Sequence, residues 1–190
     1  MPAGPTAAVL DAWPVVERYA GYEPSTTAIE SLLSTGDTPA IMSTVNFGEV
    51  YSSLLRDRGS EIAGRDAAWL RQLLVLEPVT VELAVAAARI KCAYHMSLGD
   101  SFAAATAMVH EAPLWTGDAE LLCEDRTWQV VDLRDDDRRR QHSEGIAAGR
   151  LRVGRRASAL PGLQRRQLAD YIVSPPVVPT TPAAEPPVKI

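Results

Sequence analysis

Residues 98–108 read LGDSFAAATAM. Asp100 follows Gly99, and Ser101, Phe102, Ala103, Ala104 and Ala105 behind it make a small-residue helix able to lie close against a sheet. Taken alone, an acid at such a helix start is a cap that accepts hydrogen bonds from the free amides of the first turn. Three further acids, Asp11, Glu49 and Asp118, stand at comparable strand-to-helix junctions, and their company changes that reading.

Working outward from this helix, short apolar runs alternate with helical patterns. Thr6 to Leu10 reads as a buried first strand ending at Asp11. Pro14 is expected at a first helical position, with Trp13, Val16 and Ala20 on one face, and Ser25 is expected to cap a helix that Gly36 ends. Ala40 to Ser43 is the second strand, with Ser43 or Thr44 capping a helix that carries Asn46 and Glu49 and runs to about Arg58. Ser60 opens a further helix whose apolar side is Ile62, Trp69, Leu70 and Leu73. Leu76 to Val79 is a weak strand that Pro78 confines to an edge. Thr80 caps a helix with Leu83, Ala87, Ile90 and Tyr94 at helical spacing; Pro113 to Thr116 and Thr127 to Leu133 complete five strands.

This alternation implies an α/β fold with a mainly parallel sheet and helices on both faces. Sites in such sheets form beyond the carboxyl ends of the strands, where the strand order reverses. Asp11 and Asp118 fall at two such ends, and Glu49 and Asp100 open helices beginning on the same rim. Clustered carboxylates raise one another's pKa, and a hard divalent cation removes that cost. Oxygen-only ligation favours Mg²⁺ or Mn²⁺ over zinc, and with water and a phosphate this is the chemistry of phosphodiester hydrolysis.

Composition narrows the field. Of the 190 residues 46% are hydrophobic, enough for a real core in one domain. No apolar run reaches the roughly 18 residues that span a bilayer, and the first residues lack a signal-peptide pattern, so the expectation is a cytoplasmic protein with no membrane partner. Cys92 and Cys123 are expected as reduced thiols in helical segments, and His95 and His110 as structural residues at helix ends. Residues 1–133 hold eight Lys and Arg against eighteen Asp and Glu, a net −10, whereas residues 134–190 hold eleven against six, a net +5. An acidic domain repels phosphates unless cations intervene.

The motifs, taken in order, carry a resemblance. Leu10-Asp11, Asn46 to Glu49 with Val50-Tyr51, Leu98 to Ala105, and Leu114-Trp115-Thr116-Gly117-Asp118 resemble the conserved segments of PIN-domain ribonucleases, the VapC-type toxins of bacterial toxin–antitoxin pairs above all. It covers about residues 6–133. The resemblance implies a three-layer α/β/α sandwich with strand order 3-2-1-4-5, a Mg²⁺- or Mn²⁺-dependent endoribonuclease acting on RNA, a homodimer, and neutralisation by a cognate antitoxin. Position by position, Asp11, Asp100, Glu49 and Asp118 match the catalytic and metal-binding acids. Thr116 matches a hydroxyl that orients a carboxylate or water, and Asn46 a polar residue holding Glu49 in place. One departure concerns residues 12–14, Ala-Trp-Pro, where many relatives carry a small hydroxyl residue.

Two other readings stay open. One is a catalytically weak PIN-like module that binds RNA or protein. The other, a receiver-like phosphotransfer domain, needs a helping Lys past a late strand, and residues 111–133 contain none. The domain is expected to span 1–134. An Arg-rich and then Pro-rich extension is expected over 135–190, largely disordered, its arginines serving either as a nucleic-acid arm or as solvated surface. Within it, residues 162–173 are expected to form an amphipathic helix. Trp13 is read as core before substrate platform, and Glu120, Glu124 and Asp125 as a solvated charge run, with the alternative that one of them reaches the metal rim through water.

Overall fold

A strand with water on neither face is apolar at every position, and Ala8–Leu10 (β1) is fully buried throughout. Successive side chains point to opposite faces, so Val9 enters one core while Ala8 and Leu10 enter the other. The same alternation divides Ile41 from Ala40 and Met42 on β2 (Ala40–Ser43). A computed structural model describes residues 7–147, 169, 170 and 172–174 of the chain.

The remaining elements are α1 (Ala12–Ala20), α2 (Ser25–Thr35), α3 (Thr44–Leu73), β3 (Leu74–Glu77), α4 (Val81–Ala93), α5 (Leu98–Val109), β4 (Leu114–Thr116), β5 (Val130–Asp132) and α6 (Asp136–Ala147). The five strands pair in parallel in the order β3-β2-β1-β4-β5. Helices α1, α2 and α3 fill one face through Val15, Ile29, Leu32, Val50, Leu54 and Leu70, and α4 and α5 fill the other. The chain therefore has the three-layer α/β/α arrangement with order 3-2-1-4-5. After β3 it crosses back past β1, and the order reverses between β1 and β4.

Several local expectations are corrected. Asp11, not Trp13, precedes the first helical residue, and the inward positions of α1 are Ala12, Pro14 and Val15; Trp13 and Val16 are half-buried and Ala20 is exposed. Ser25 lies inside α2, where its hydroxyl donates to the Leu133 carbonyl at 3.4 Å, while Glu23 accepts the Thr27 amide. In the second half of α3 the buried stripe is Ala63, Ala67 and Leu70, spaced four and three apart. Ile62, Trp69 and Leu73 flank it, 36–40% exposed. β3 starts two residues earlier than expected, so Pro78 follows the strand, and α4 ends at Ala93 because Tyr94 turns to an extended conformation. Cys123 is buried in a turn, not a helix.

The tail expectation falls mostly on residues outside those described. Within the described part, Asp136–Ala147 is helical, and Ile172 is fully buried against the α4–α5 core. Arg89 donates to the Ser174 carbonyl at 2.5 Å beside it. Among the described residues, no helix is long and apolar enough to cross a membrane.

Gly59 breaks α3 at φ 79°, ψ 167°, a backbone region essentially reserved for glycine, and so separates the two helices that the sequence distinguishes. Gly64, five residues on, is helical with open space around it. Gly59→Ala is expected to lower unfolding stability by about 1–3 kcal/mol, and Gly64→Ala to raise it by about 0.5–1 kcal/mol. Urea denaturation of the two variants checks the opposite signs.

Candidate active site

Asp11 follows directly on β1 at its carboxyl end, where the strand order reverses between β1 and β4, the place at which sites form in such sheets. Asp11 caps α1: its Oδ1 accepts the Ala12 amide at 2.6 Å. Its Oδ2 accepts the Thr116 hydroxyl, at the end of β4, at 2.9 Å. The same Thr116 oxygen accepts the Asp118 amide at 2.9 Å, so one buried hydroxyl ties both acids together. Asp118 Oδ1 in turn accepts the Glu120 amide at 2.7 Å.

A second group forms where α3 begins against α5. Ser43 caps α3, its hydroxyl accepting the Asn46 amide at 3.0 Å and donating to Asn46 Oδ1. That fixes the amide so that Nδ2 donates to Glu49 Oε2 at 3.0 Å and to the Gly99 carbonyl at 3.1 Å. Asn46 is completely buried, and its side chain has partners for both the carbonyl and the amino group. Glu49 lies directly on Gly99: a Cβ there would stand 2.0 Å from Glu49 Oε1. Gly99 is thus required by a close approach, not by an unusual φ.

Asp100 is not itself the cap of α5. Ser97 is, accepting the Asp100 amide at 3.0 Å, and Asp100 Oδ2 accepts the Ser97 amide at 3.2 Å in return, a reciprocal capping box. Glu120 Oε2 accepts the same Ser97 amide at 3.1 Å. Of the three acids in the charge run after Asp118, Glu120 is the one that reaches this group, and its signal in the sequence is its position two residues past Asp118.

Electrostatics link these groups. Burial, reinforced by Asp100 and Asp118, raises the Asp11 pKa to about 7 against the lowering effect of the Thr116 and Ala12 hydrogen bonds. Burial also raises Glu49, opposed by Asn46 and reinforced by Asp100 and Asp118. Asp100 is raised by burial and by Glu120, opposed by Ser97. All six expected site residues therefore share one rim: Asp11, Thr116 and Asp118 in one hydrogen-bonded chain, Asn46 and Glu49 in another, and Asp100 coupled to both by charge.

The donor chemistry suits a hard cation, since the rim offers carboxylate and hydroxyl oxygens. Among the described residues no three His, Cys, Asp or Glu side chains converge as a ready cage. Mg²⁺ is ordinarily held by one or two carboxylates and several waters, so the arrangement fits it without such a cage.

Outside the rim, His110 Nε2 is 2.8 Å from Glu77 Oε2, joining the end of α5 to β3. Asp132, at the end of β5, accepts Arg134 at 3.0 and 2.8 Å, which holds its carboxyl below the usual range despite partial burial.

A parallel five-stranded sheet in this order, with acids gathered at its switch point, defines the class. The PIN domain family model matches residues 9–123, and the chain belongs to that family. Among solved structures, a toxin–antitoxin complex from Klebsiella pneumoniae is similar at 18% identity and TM-score 0.56, covering 68% of this chain and 99% of that one. Mycobacterium tuberculosis VapC20, described as a sarcin-ricin loop cleaving toxin, is 20% identical with TM-score 0.52, covering 61% and 93%. Rickettsia felis VapBC2, bound to a promoter DNA fragment, is 10% identical with TM-score 0.54, covering 67% and 99%. No curated protein matches the sequence.

The raised Asp11 pKa makes a signed prediction. An acid with a folded pKa near 7 and an ordinary unfolded pKa near 3.8 favours the fold fully below pH 3.8, and that contribution is lost as pH rises through 7. Ionising Asp11 then costs the metal-free fold on the order of 4 kcal/mol, at about 1.4 kcal/mol per pH unit. Thermal unfolding of chelator-treated protein is expected to show a Tm falling from pH 5 to pH 8, and Asp11→Asn to flatten that slope.

Proposed function

We propose that this PIN-domain protein is a Mg²⁺- or Mn²⁺-dependent endoribonuclease that hydrolyses RNA phosphodiester bonds as the toxin of a toxin–antitoxin pair. The observation that carries the reading is the buried Asp11 carboxyl at the β1–β4 switch point, flanked by Asp100 and Asp118. Burying an acid among acids is destabilising, and a chain that keeps the arrangement has a cation to place there.

In this reading Asp11 and Asp100 hold the cation, with Glu49 and Asp118 completing its surroundings directly or through water. When bound, the ion supplies charge neutralisation at the phosphate and activation of water. The protein does the orienting. Thr116 keeps its proton directed at Asp11 Oδ2, which leaves the carboxyl turned in one direction, and Asn46 Nδ2 does the same for Glu49. The Ser97 amide holds both Asp100 Oδ2 and Glu120 Oε2, so Asp100 faces the rim with a second acid beside it.

The partners follow from the family and its neighbours. A small antitoxin protein as inhibitor is supported by structural neighbours solved as toxin–antitoxin assemblies. RNA as substrate is supported by the neighbour described as cleaving the sarcin-ricin loop. Homodimerisation and a cytoplasmic location belong to the same reading.

Purified protein incubated with RNA and Mn²⁺ or Mg²⁺ is expected to cleave it, and chelation to stop cleavage. Asp100→Asn is expected to lose more activity than Asn46→Ala, for which a loss of about 10–100-fold is expected, as for residues that orient a ligand. Equal activity in wild type and Asp100→Asn would remove Asp100 from the site. No cleavage together with metal-independent RNA retention would favour the binding-module reading.

A further inference from the structure

The residue before Asp118 packs against Trp13, and Trp13 in turn lies beneath Arg138, outside the family match. That residue, Gly117, lies against the indole of Trp13: a Cβ on Gly117 would stand 2.3 Å from Trp13 Cζ3 and 2.4 Å from Cη2. Trp13 is also two residues past Asp11, so its ring joins the segment leaving Asp11 to the residue before Asp118. Its position is held by α6. The Arg138 guanidinium lies 5.5 Å from the Trp13 ring centre and 5.3 Å from that of Tyr22. Arg138 Nη1 donates to Glu17 Oε2 at 2.8 Å, and the Arg138 amide donates to Asp135 Oδ1 at 2.6 Å. Cations within about 6 Å of an aromatic face are attracted to it, and Glu17, mostly buried on α1, fixes the direction of approach.

Topology puts this clamp where it matters. All five strands are parallel, so β5 ends on the same rim as β1 and β4, and the chain leaving Asp132 reaches α6 within four residues. The family match ends at residue 123, before β5 and α6. We propose that Arg138 is a positioning residue of the acidic site: by clamping Trp13 onto Gly117 it sets the backbone that carries Asp118 and, through Thr116, the carboxyl of Asp11.

The activity part of this proposal rests on the nuclease reading; the geometric part does not. Two measurements on the full chain separate them. In NMR spectra, the Gly117 Hα resonances of the wild type are expected to be displaced by the Trp13 ring current. Arg138→Ala is expected to move them and the Asp118 amide toward ordinary values, Arg138→Lys to restore them in part, and Arg140→Ala to leave them unchanged. In RNA cleavage, Arg138→Ala is expected to lower kcat about three- to tenfold with KM unchanged, the size of a single cation–π contact. Gly117 and Asp118 resonances that do not respond to Arg138→Ala overturn the clamp, whether or not the protein cleaves RNA. Responding resonances with a raised KM and unchanged kcat overturn the positioning role in favour of direct substrate contact. Responding resonances in a protein that cleaves no RNA uphold the clamp and defeat only the nuclease reading.

Discussion

The hydrogen bond from Thr116 Oγ1 to Asp11 Oδ2, 2.9 Å long and buried, crosses the seam between β1 and β4 where the strand order reverses. The rest of the site depends on it. Asp11 has almost no water to solvate it, and the neighbouring acids push its proton affinity up; two neutral donors, Thr116 and the Ala12 amide, oppose that push. The strand ladder brings the donors to it. β1 and β4 pair Leu10 with Trp115, and the Asp11 amide donates to the Trp115 carbonyl at 3.2 Å, so the register that closes the core also places residue 116 beside residue 11.

Close approach is the second constraint, and small residues permit it. Gly99, Ser101, Ala103, Ala104 and Ala105 on α5 are buried, most of them completely, and their small size lets this part of the helix pack closely. Without a Cβ at Gly99, Glu49 can lie on the α5 backbone and Asn46 can reach the Gly99 carbonyl from α3. The acids from α3 and α5 face the same rim because two helices on opposite sides of the sheet meet at its carboxyl edge. The polarity of the strands and the size of five side chains thus decide a charge arrangement.

Much of this was legible in the sequence because it rests on local signals. Apolar runs ending at Asp11, Ser43 and Thr116 marked the carboxyl ends of strands, and Thr80 and Gly36 marked helix limits where the structure has them. The illegible parts depend on contacts distant in sequence. Nothing near Ser25 announces that its hydroxyl meets Leu133, so it looked like a cap. The α3 stripe is not legible because bulk suggests burial, whereas Ala63 and Ala67 turn inward and Trp69 stays partly exposed beneath the Arg18 guanidinium, 4.8 Å from its ring. Which acid of the run after Asp118 reaches the rim is not legible locally, because only the fold brings Glu120 to the Ser97 amide, 23 positions earlier.

The arginines of residues 134–140 show why a charge count alone misleads about electrostatics. As a count, Arg134, Arg138, Arg139 and Arg140 add positive charge beside an acidic domain. In the fold each faces a carboxylate: Arg134 and Arg139 meet Asp132, Arg138 meets Glu17, and Arg140 meets Asp137. The exposed pairs contribute little to stability, at most about 1 kcal/mol each. Their effect is on the field, because a paired arginine presents a dipole to an approaching phosphate instead of a net charge, and that attraction is screened within about 8–10 Å at ordinary salt. These arginines therefore leave the repulsion at the Asp11–Asp100–Asp118 rim in place. A polyanion reaching that rim meets carboxylates that the arginines of residues 134–140, each already facing its own acid, do not offset.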